Sequence, residues 1–271
     1  VSWDRQIVLK SPAEIEIMRE AGRINALALM EVWKAVRPGV STAELDAIAE
    51  EVIRSHGAKP AFKGYPGPYP YPATITASIN DELVHGIPRP DRIIREGDIV
   101  SIDCGTVFEG FVGDSAFTVG VGEISPEAQR LLKVTEQALY EGISRLRAGN
   151  RVGDVSAAIQ QYVESRGYYL TREYTGHGVG RRMHEGPSVP NYGKPGRGVL
   201  LRVGMTVAIE PMVLVGTPKT RVLADKWTVA SADGSLTAHY EHSVAVTKEG
   251  PLILTLCEGY PFQPPEGAFS A

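Results

Sequence analysis

The sequence predicts an α+β domain built from two similar halves. Three observations carry this: helix-start signals recur in one order, a short strand pattern occurs twice without a gap, and carboxylates occupy matched positions in both copies. The first half opens with Ser11-Pro12-Ala13-Glu14, where serine suits an N-cap, proline suits the first turn and Glu14 can close a capping box. After Arg37-Pro38-Gly39 a second helix is predicted from Ser41 or Thr42, with Leu45, Ile48 and Val52 at helical spacing and Gly57 as its stop. The second half repeats the scheme with Ser125-Pro126-Glu127, then Arg147-Ala148-Gly149. Its second helix is predicted from about Asp154, carrying Val155, Ile159, Tyr162 and Val163 and ending at Gly167.

Strands follow the helices in each half. Arg95-Glu96-Gly97-Asp98-Ile99-Val100-Ser101-Ile102-Asp103 aligns on Arg202-Val203-Gly204-Met205-Thr206-Val207-Ala208-Ile209-Glu210, and both read Arg-x-Gly-x-x-Val-x-Ile-acid. A further parallel links Gly113-Asp114 through Val119 with Tyr240-Glu241 through Val246. No linker-like stretch divides the halves, so one domain is expected over 11–256, with halves at about 11–120 and 125–250. Residues 1–10 are expected to be an N-terminal extension and 257–271 a flexible C-terminal tail.

Composition narrows the class. With 271 residues, 43% hydrophobic and 22% charged, the chain resembles an ordinary globular protein and can bury a core. A net charge of −4 supplies no basic field for nucleic acid. No signal-peptide pattern and no apolar run long enough to span a bilayer is present. Cys104 and Cys257 are too few for a disulfide scaffold and form no zinc-type Cys-x-x-Cys pair, which points to a reducing, cytoplasmic setting. The 29 glycines and 19 prolines make up about 18% of the chain, against an average near 12%. They concentrate around Gly64–Pro72, Gly176–Gly180 and Gly186–Gly198, where rigid loops can carry aromatics and imidazoles to a site.

The acidic residues at the strand ends are the chemical signal. If Glu109-Gly110 is a two-residue hairpin turn, residue 103 faces 116, and Asp114 becomes the diagonal neighbour of Asp103 on one sheet face. Glu210 and Glu241 lie at matching places in apolar surroundings, where carboxylates are rarely buried without a partner. Two carboxylates about 4 Å apart repel by about 4 kcal/mol at an effective dielectric of 20, so a converging set calls for cations. Carboxylates with an imidazole suit a pair of divalent ions of the Mn, Fe, Co or Zn group rather than a closed structural zinc site. His177, His184 and His85 lie in glycine-flanked segments. His56 reads as structural, and one of His239 and His242 is expected beside the acidic cluster. The Gly-x-Gly of 176–178 lacks the third glycine of a dinucleotide fingerprint, and His184-Glu185 lacks the second histidine of a zincin helix. No nucleophile elbow or P-loop exists.

Six blocks in order closely resemble type I methionine aminopeptidases: Asn80–Pro88, Gly97–Asp103, Gly113-Asp114-Ser115, Gly176–Gly180, Ile209-Glu210-Pro211-Met212 and Tyr240-Glu241-His242. The resemblance runs from about Ser11 to Leu256 and is of the bacterial type, without a Cys/His-rich N-terminal extension. It implies the pseudo-twofold pita-bread (creatinase/aminopeptidase) fold, with a curved antiparallel sheet flanked by helices. It also implies that Asp103, Asp114, His177, Glu210 and Glu241 bind two divalent ions, with Asp114 and Glu241 bridging them and an activated water attacking the scissile carbonyl. In the same way, Glu210 is implied as proton shuttle, His184 as oxyanion stabiliser and His85 as a contact to the scissile amide. Tyr65, Thr76, Met183 and Trp227 are implied in the methionine pocket. Thr76 stands where many bacterial relatives carry cysteine, and Met183 where many carry an aromatic.

The implied substrates are N-terminal methionine peptides and nascent chains with a small second residue, met near the ribosome by a monomer without nucleic-acid or membrane binding. Val1 is itself a small residue, compatible with loss of an initiator methionine. The alternatives are an Xaa-Pro peptidase of the same fold, whose relatives usually carry a larger N-terminal domain, and a non-catalytic peptide-binding module, which typically loses ligands.

Overall fold

The computed structural model describes residues 7–265. In the first half, helices α1 (Pro12–Ala35) and α2 (Thr42–Ser55) precede β1 (Lys59–Pro60), β2 (Ile75–Ile79), β3 (Glu82–Val84), β4 (Ile99–Phe108) and β5 (Phe111–Gly120). In the second, α3 (Pro126–Ser144) and α4 (Val152–Glu164) precede β6 (Tyr169–Leu170), β7 (Gly176–Gly178), β8 (Glu185–Val189), β9 (Thr206–Ile209) and β10 (Met212–Leu214). The chain continues with β11 (Thr220–Val222), β12 (Val229–Ser231), β13 (Thr237–His239), β14 (Glu241–Val246) and β15 (Pro251–Ile253).

Local chemistry sets the helix starts. Ser11 accepts from the Glu14 N–H while the Glu14 carboxylate accepts from the Ser11 N–H, and Ser41 and Glu44 close the same box on α2. Ser125 caps α3 through the Ala128 N–H. Helix α4 starts at Val152, two residues before the expected Asp154, because the Asp154 carboxylate accepts from the Arg151 N–H and so sits in the first turn.

The repeat extends to backbone detail. Gly39 N–H donates to Ile94 O, Ile94 N–H to Val40 O and Thr42 N–H to Arg92 O. In the other half Gly149 N–H donates to Leu201 O, Leu201 N–H to Asn150 O and Val152 N–H to Val199 O. The glycines that turn the chain ahead of β4 and β9 share a left-handed backbone, φ 88° at Gly97 and 90° at Gly204.

A nine-stranded sheet joins both halves, in the order β1-β4-β5-β14-β9-β7-β8, with β2 added on β4 and β15 on β14. All of these pairs are antiparallel. Glu109 and Gly110, at φ 47° and 78°, make the tight turn between β4 and β5, so Phe108 faces Phe111 and Asp103 faces Ala116 as the hairpin reading requires. The helices cover one face: Ile24, Leu29, Leu45, Leu139 and Ile159 pack with Val100, Ile102, Phe117 and Val244 in one buried cluster. The other face carries the site.

The tail differs from expectation over its first part. Tyr260 is 2% exposed and the Phe262 ring stacks on Phe117 at 4.7 Å, while the Tyr140 hydroxyl donates to Phe262 O, so apolar burial holds this segment on the domain. Residues 1–6 of the expected extension and 266–271 of the expected tail lie outside the described residues. Lys10, within that extension, is buried in an ion pair with Glu185. Among the described residues no helix is long and apolar enough to cross a membrane.

Candidate metal centre

Strand alternation decides which side chains share the free face of the sheet. Thr76, Asp103, Ala116 and Glu241 form one row across β2, β4, β5 and β14. One step along, Asp114 faces Gly105, and the Ser243 hydroxyl both accepts from Asp114 N–H and donates to Asp114 O; Ser243 faces Ala208, which faces His177. Glu210 follows directly on β9. Acidic or imidazole groups thus alternate with the small Ala116 and Ala208 and with Gly105, where a Cβ would clash with Met183 and Phe62.

The convergence is close. His177 Nε2 lies 3.4 Å from Glu210 Oε1 and 3.7 Å from Asp114 Oδ2. Asp103, Asp114, His177, Glu210 and Glu241 are all buried, none more than 9% exposed. His177 Nδ1 is 2.9 Å from Gly178 O, and since a carbonyl only accepts, Nδ1 carries the proton and the Nε2 lone pair faces the carboxylates. Asp103 Oδ1, Asp114 Oδ1 and Glu241 Oε1 are buried with no hydrogen-bond partner among the described residues. Asp114, His177 and Glu241 can offer donor atoms within 4.8 Å of one another, and so can Asp103, His239 and Glu241. Acceptor atoms crowded without donors fit divalent cations bound by oxygen and nitrogen.

The electrostatics agree. Burial, reinforced by the Asp114 charge, pushes Asp103, Glu210 and Glu241 well above the usual carboxylate range, and burial raises Asp114 to about 7. Burial also holds the imidazoles neutral, lowering His177 and His239 to about 3 and His85 and His184 to about 4. A positive ion would reverse the first effect by favouring the ionised carboxylates.

A cavity of about 280 Å³ opens above this cluster, and every sequence-predicted residue lines it, including His85, His184, Tyr65, Thr76, Met183 and Trp227. His85 adopts φ 61°, a left-handed conformation unusual for a side-chain-bearing residue, which aims its ring at Tyr174 and Trp227. The Tyr65 hydroxyl is 2.5 Å from His184 Nδ1, and the His184 ring lies 4.3 Å from that of His177. Trp227 packs edge-on to Tyr71 at 5.1 Å, and a Cβ on Gly67 would clash with it. Sequence reasoning did not single out Phe62, Tyr71, Glu173, Tyr174 or Met212, which also line the cavity. Tyr174 and Met212 stand within three residues of His177 and Glu210, and that adjacency was the available signal. Of the two histidines flanking Glu241, His239 lines the cavity. His242 faces away and pairs with Thr255 Oγ1 at 2.8 Å, as alternation dictates. His56 caps α2 on the surface, away from the site.

Comparisons with known proteins place the chain in a family. The sequence profile of metallopeptidase family M24 matches residues 16–248. The methionine aminopeptidase of Clostridium acetobutylicum is 52% identical over 252 residues, covering 93% of this chain and all of that protein. The crystal structure of methionine aminopeptidase from Thermotoga maritima superposes with a TM-score of 0.90 at 46% identity, over 92% of this chain and 99% of that one. The prolidase of Pyrococcus furiosus, at 24% identity and a TM-score of 0.75 over 93% of this chain and 66% of its own, shares the fold alone. The chain therefore belongs to metallopeptidase family M24, among its methionine aminopeptidases.

Proposed function

We propose that the protein removes the initiator methionine from peptides and nascent chains whose second residue is small. The observation that carries the site reading is the buried convergence of Asp103, Asp114, His177, Glu210 and Glu241, with orphaned oxygens, at the floor of a cavity walled by apolar and aromatic side chains. These residues would hold two divalent ions of the Co, Mn, Fe or Zn group, with Asp114 and Glu241 shared between them. Such ions, when bound, act as Lewis acids and lower the pKa of water toward about 7.

The chain's own groups do the rest. Glu210, at the cavity edge of the cluster, takes the proton from the attacking water and returns it to the leaving amine. With the Tyr65 hydroxyl donating to its Nδ1, neutral His184 keeps its proton on Nε2 and offers that N–H as a hydrogen bond to the developing oxyanion. His85, fixed by its backbone, contacts the scissile amide. Met183, Tyr65, Thr76 and Trp227 enclose the methionine side chain, a polarisable apolar group that suits such walls. The setting proposed is the cytoplasm, with the protein a monomer meeting nascent chains at the ribosome.

The test is hydrolysis of Met-Ala-Ser by protein loaded with Co(II) or Mn(II), against a Gly-Pro substrate, before and after chelation. Release of methionine that chelation stops and metal restores is expected; turnover of the Gly-Pro substrate alone would assign the Xaa-Pro activity instead, and no turnover of either would leave a binding module.

A further inference from the structure

One more imidazole faces the acidic cluster. His239, on β13, is 1% exposed, and neither of its ring nitrogens has a hydrogen-bond partner among the described residues. A buried polar group left unpaired costs on the order of 1–3 kcal/mol, so the ring is set for something that binds there. Its Nε2 lies 3.6 Å from Glu241 Oε2 and 3.7 Å from Glu210 Oε2. One of its nitrogens shares a 4.8 Å cluster with oxygens of Asp103 and Glu241, and Asp103 Oδ1 and Glu241 Oε1 are themselves unpartnered. Donors placed about 2.0–2.2 Å from one tetrahedral ion stand about 3.4 Å apart, and the 3.6 Å between His239 Nε2 and Glu241 Oε2 is already close to that spacing. The neighbouring set uses His177 and Asp114, and Glu241 belongs to both. The backbone of His239 is locked independently, its N–H donating to Thr118 Oγ1 and its carbonyl accepting from the same hydroxyl, so the ring is presented by a fixed strand.

Resting on the two-ion reading above, we propose that His239 is a sixth protein donor, giving Nε2 to the ion on the Asp103 side. Each ion then has one imidazole, and the Asp103 side is not an all-oxygen site. It favours Zn(II), Co(II) or Fe(II) over Mg(II) or Ca(II), because imidazole suits the former group.

The test uses full-length protein labelled with ¹⁵N-histidine, titrated with Zn(II) and followed by long-range ¹H–¹⁵N correlation spectra and calorimetry. Two imidazoles should acquire metal-bound nitrogen shifts in the unmutated protein. His177→Leu should remove one of them and His239→Leu the other, with the second Zn(II) binding step weakened about tenfold or more in His239→Leu. A single shifted imidazole in the unmutated protein overturns the proposal without any variant having to fold. Unchanged binding of both ions by a folded His239→Leu protein overturns it too. Failure of the unmutated protein to bind Zn(II) at all would instead sink the two-ion reading on which it rests.

Discussion

The two halves deliver matched carboxylates by different means. In the first, Asp103 and Asp114 sit on one hairpin of two ten-residue strands, β4–β5, whose register is fixed from end to end by the Glu109-Gly110 turn. In the second, Glu210 follows the four-residue β9 and Glu241 opens the six-residue β14, and four short strands intervene between them. There the register depends on β14 inserting between β5 and β9, which pairs Glu241 with Ala116 and His242 with Ile209. The first half is a local, stiff reference. The second spends its long excursion on the cavity, bringing Met212, Trp227 and His239 to the walls. Duplication thus supplies matched carboxylates from both halves, and the excursion of the second adds walls to a cavity that Tyr65, Thr76 and His85 of the first also line.

The largest effects should come from residues on which both halves depend. Asp114→Ala and Glu241→Ala should each cut kcat/KM for Met-Ala-Ser by about 10³-fold or more, as loss of several kcal/mol of transition-state stabilisation implies. Near-normal rates in either variant would break the idea of a shared centre. Next, Trp227→Ala alters only the excursion. It should lower kcat/KM by about tenfold and weaken the preference for methionine over leucine at the first position, with metal content by elemental analysis unchanged. A parallel loss of metal would show that wall and cluster are not separable.

Proton linkage gives a third test. At pH 6 the buried carboxylates, held above their ordinary pKa, carry protons that a cation must displace, whereas imidazoles lowered to about 3 and 4 are already neutral and release none. Metal binding should release protons and tighten as pH rises toward the Asp114 value of about 7. Calorimetry in buffers of different ionisation enthalpy reads this directly, and zero or inward proton flow would contradict it. Chelation should correspondingly lower the melting temperature, since the ion binds the native state. The smallest effect separates the hairpin from the excursion. Gly110→Ala, at φ 78°, should cost about 1 kcal/mol and roughly 2–4 °C in melting temperature, while exposed Lys219→Ala in the excursion should change little.

The same contrast explains what the sequence disclosed. The Asp103–Asp114 diagonal was legible because one turn and strand alternation determine it, and the helix starts were legible because Ser11, Ser41 and Ser125 cap locally. The pairing of Glu241 with Ala116 was not, since nothing near residue 241 specifies its partner strand; only the repeat and the family resemblance brought Glu210 and Glu241 into the cluster. The docked Tyr260 and Phe262 were missed because a Pro-rich end reads as mobile, whereas two aromatics suffice to hold it on Phe117. His239 and His242 could not be told apart until alternation was anchored by the β14 register.

The most direct measurement is anomalous diffraction from crystals loaded with Mn(II) or Co(II). Two peaks about 3.5–4 Å apart are expected over the sheet face, with Asp114 and Glu241 between them, Asp103 beside one and His177 with Glu210 beside the other. Peaks elsewhere, or a single ion held by one half alone, would contradict the shared centre.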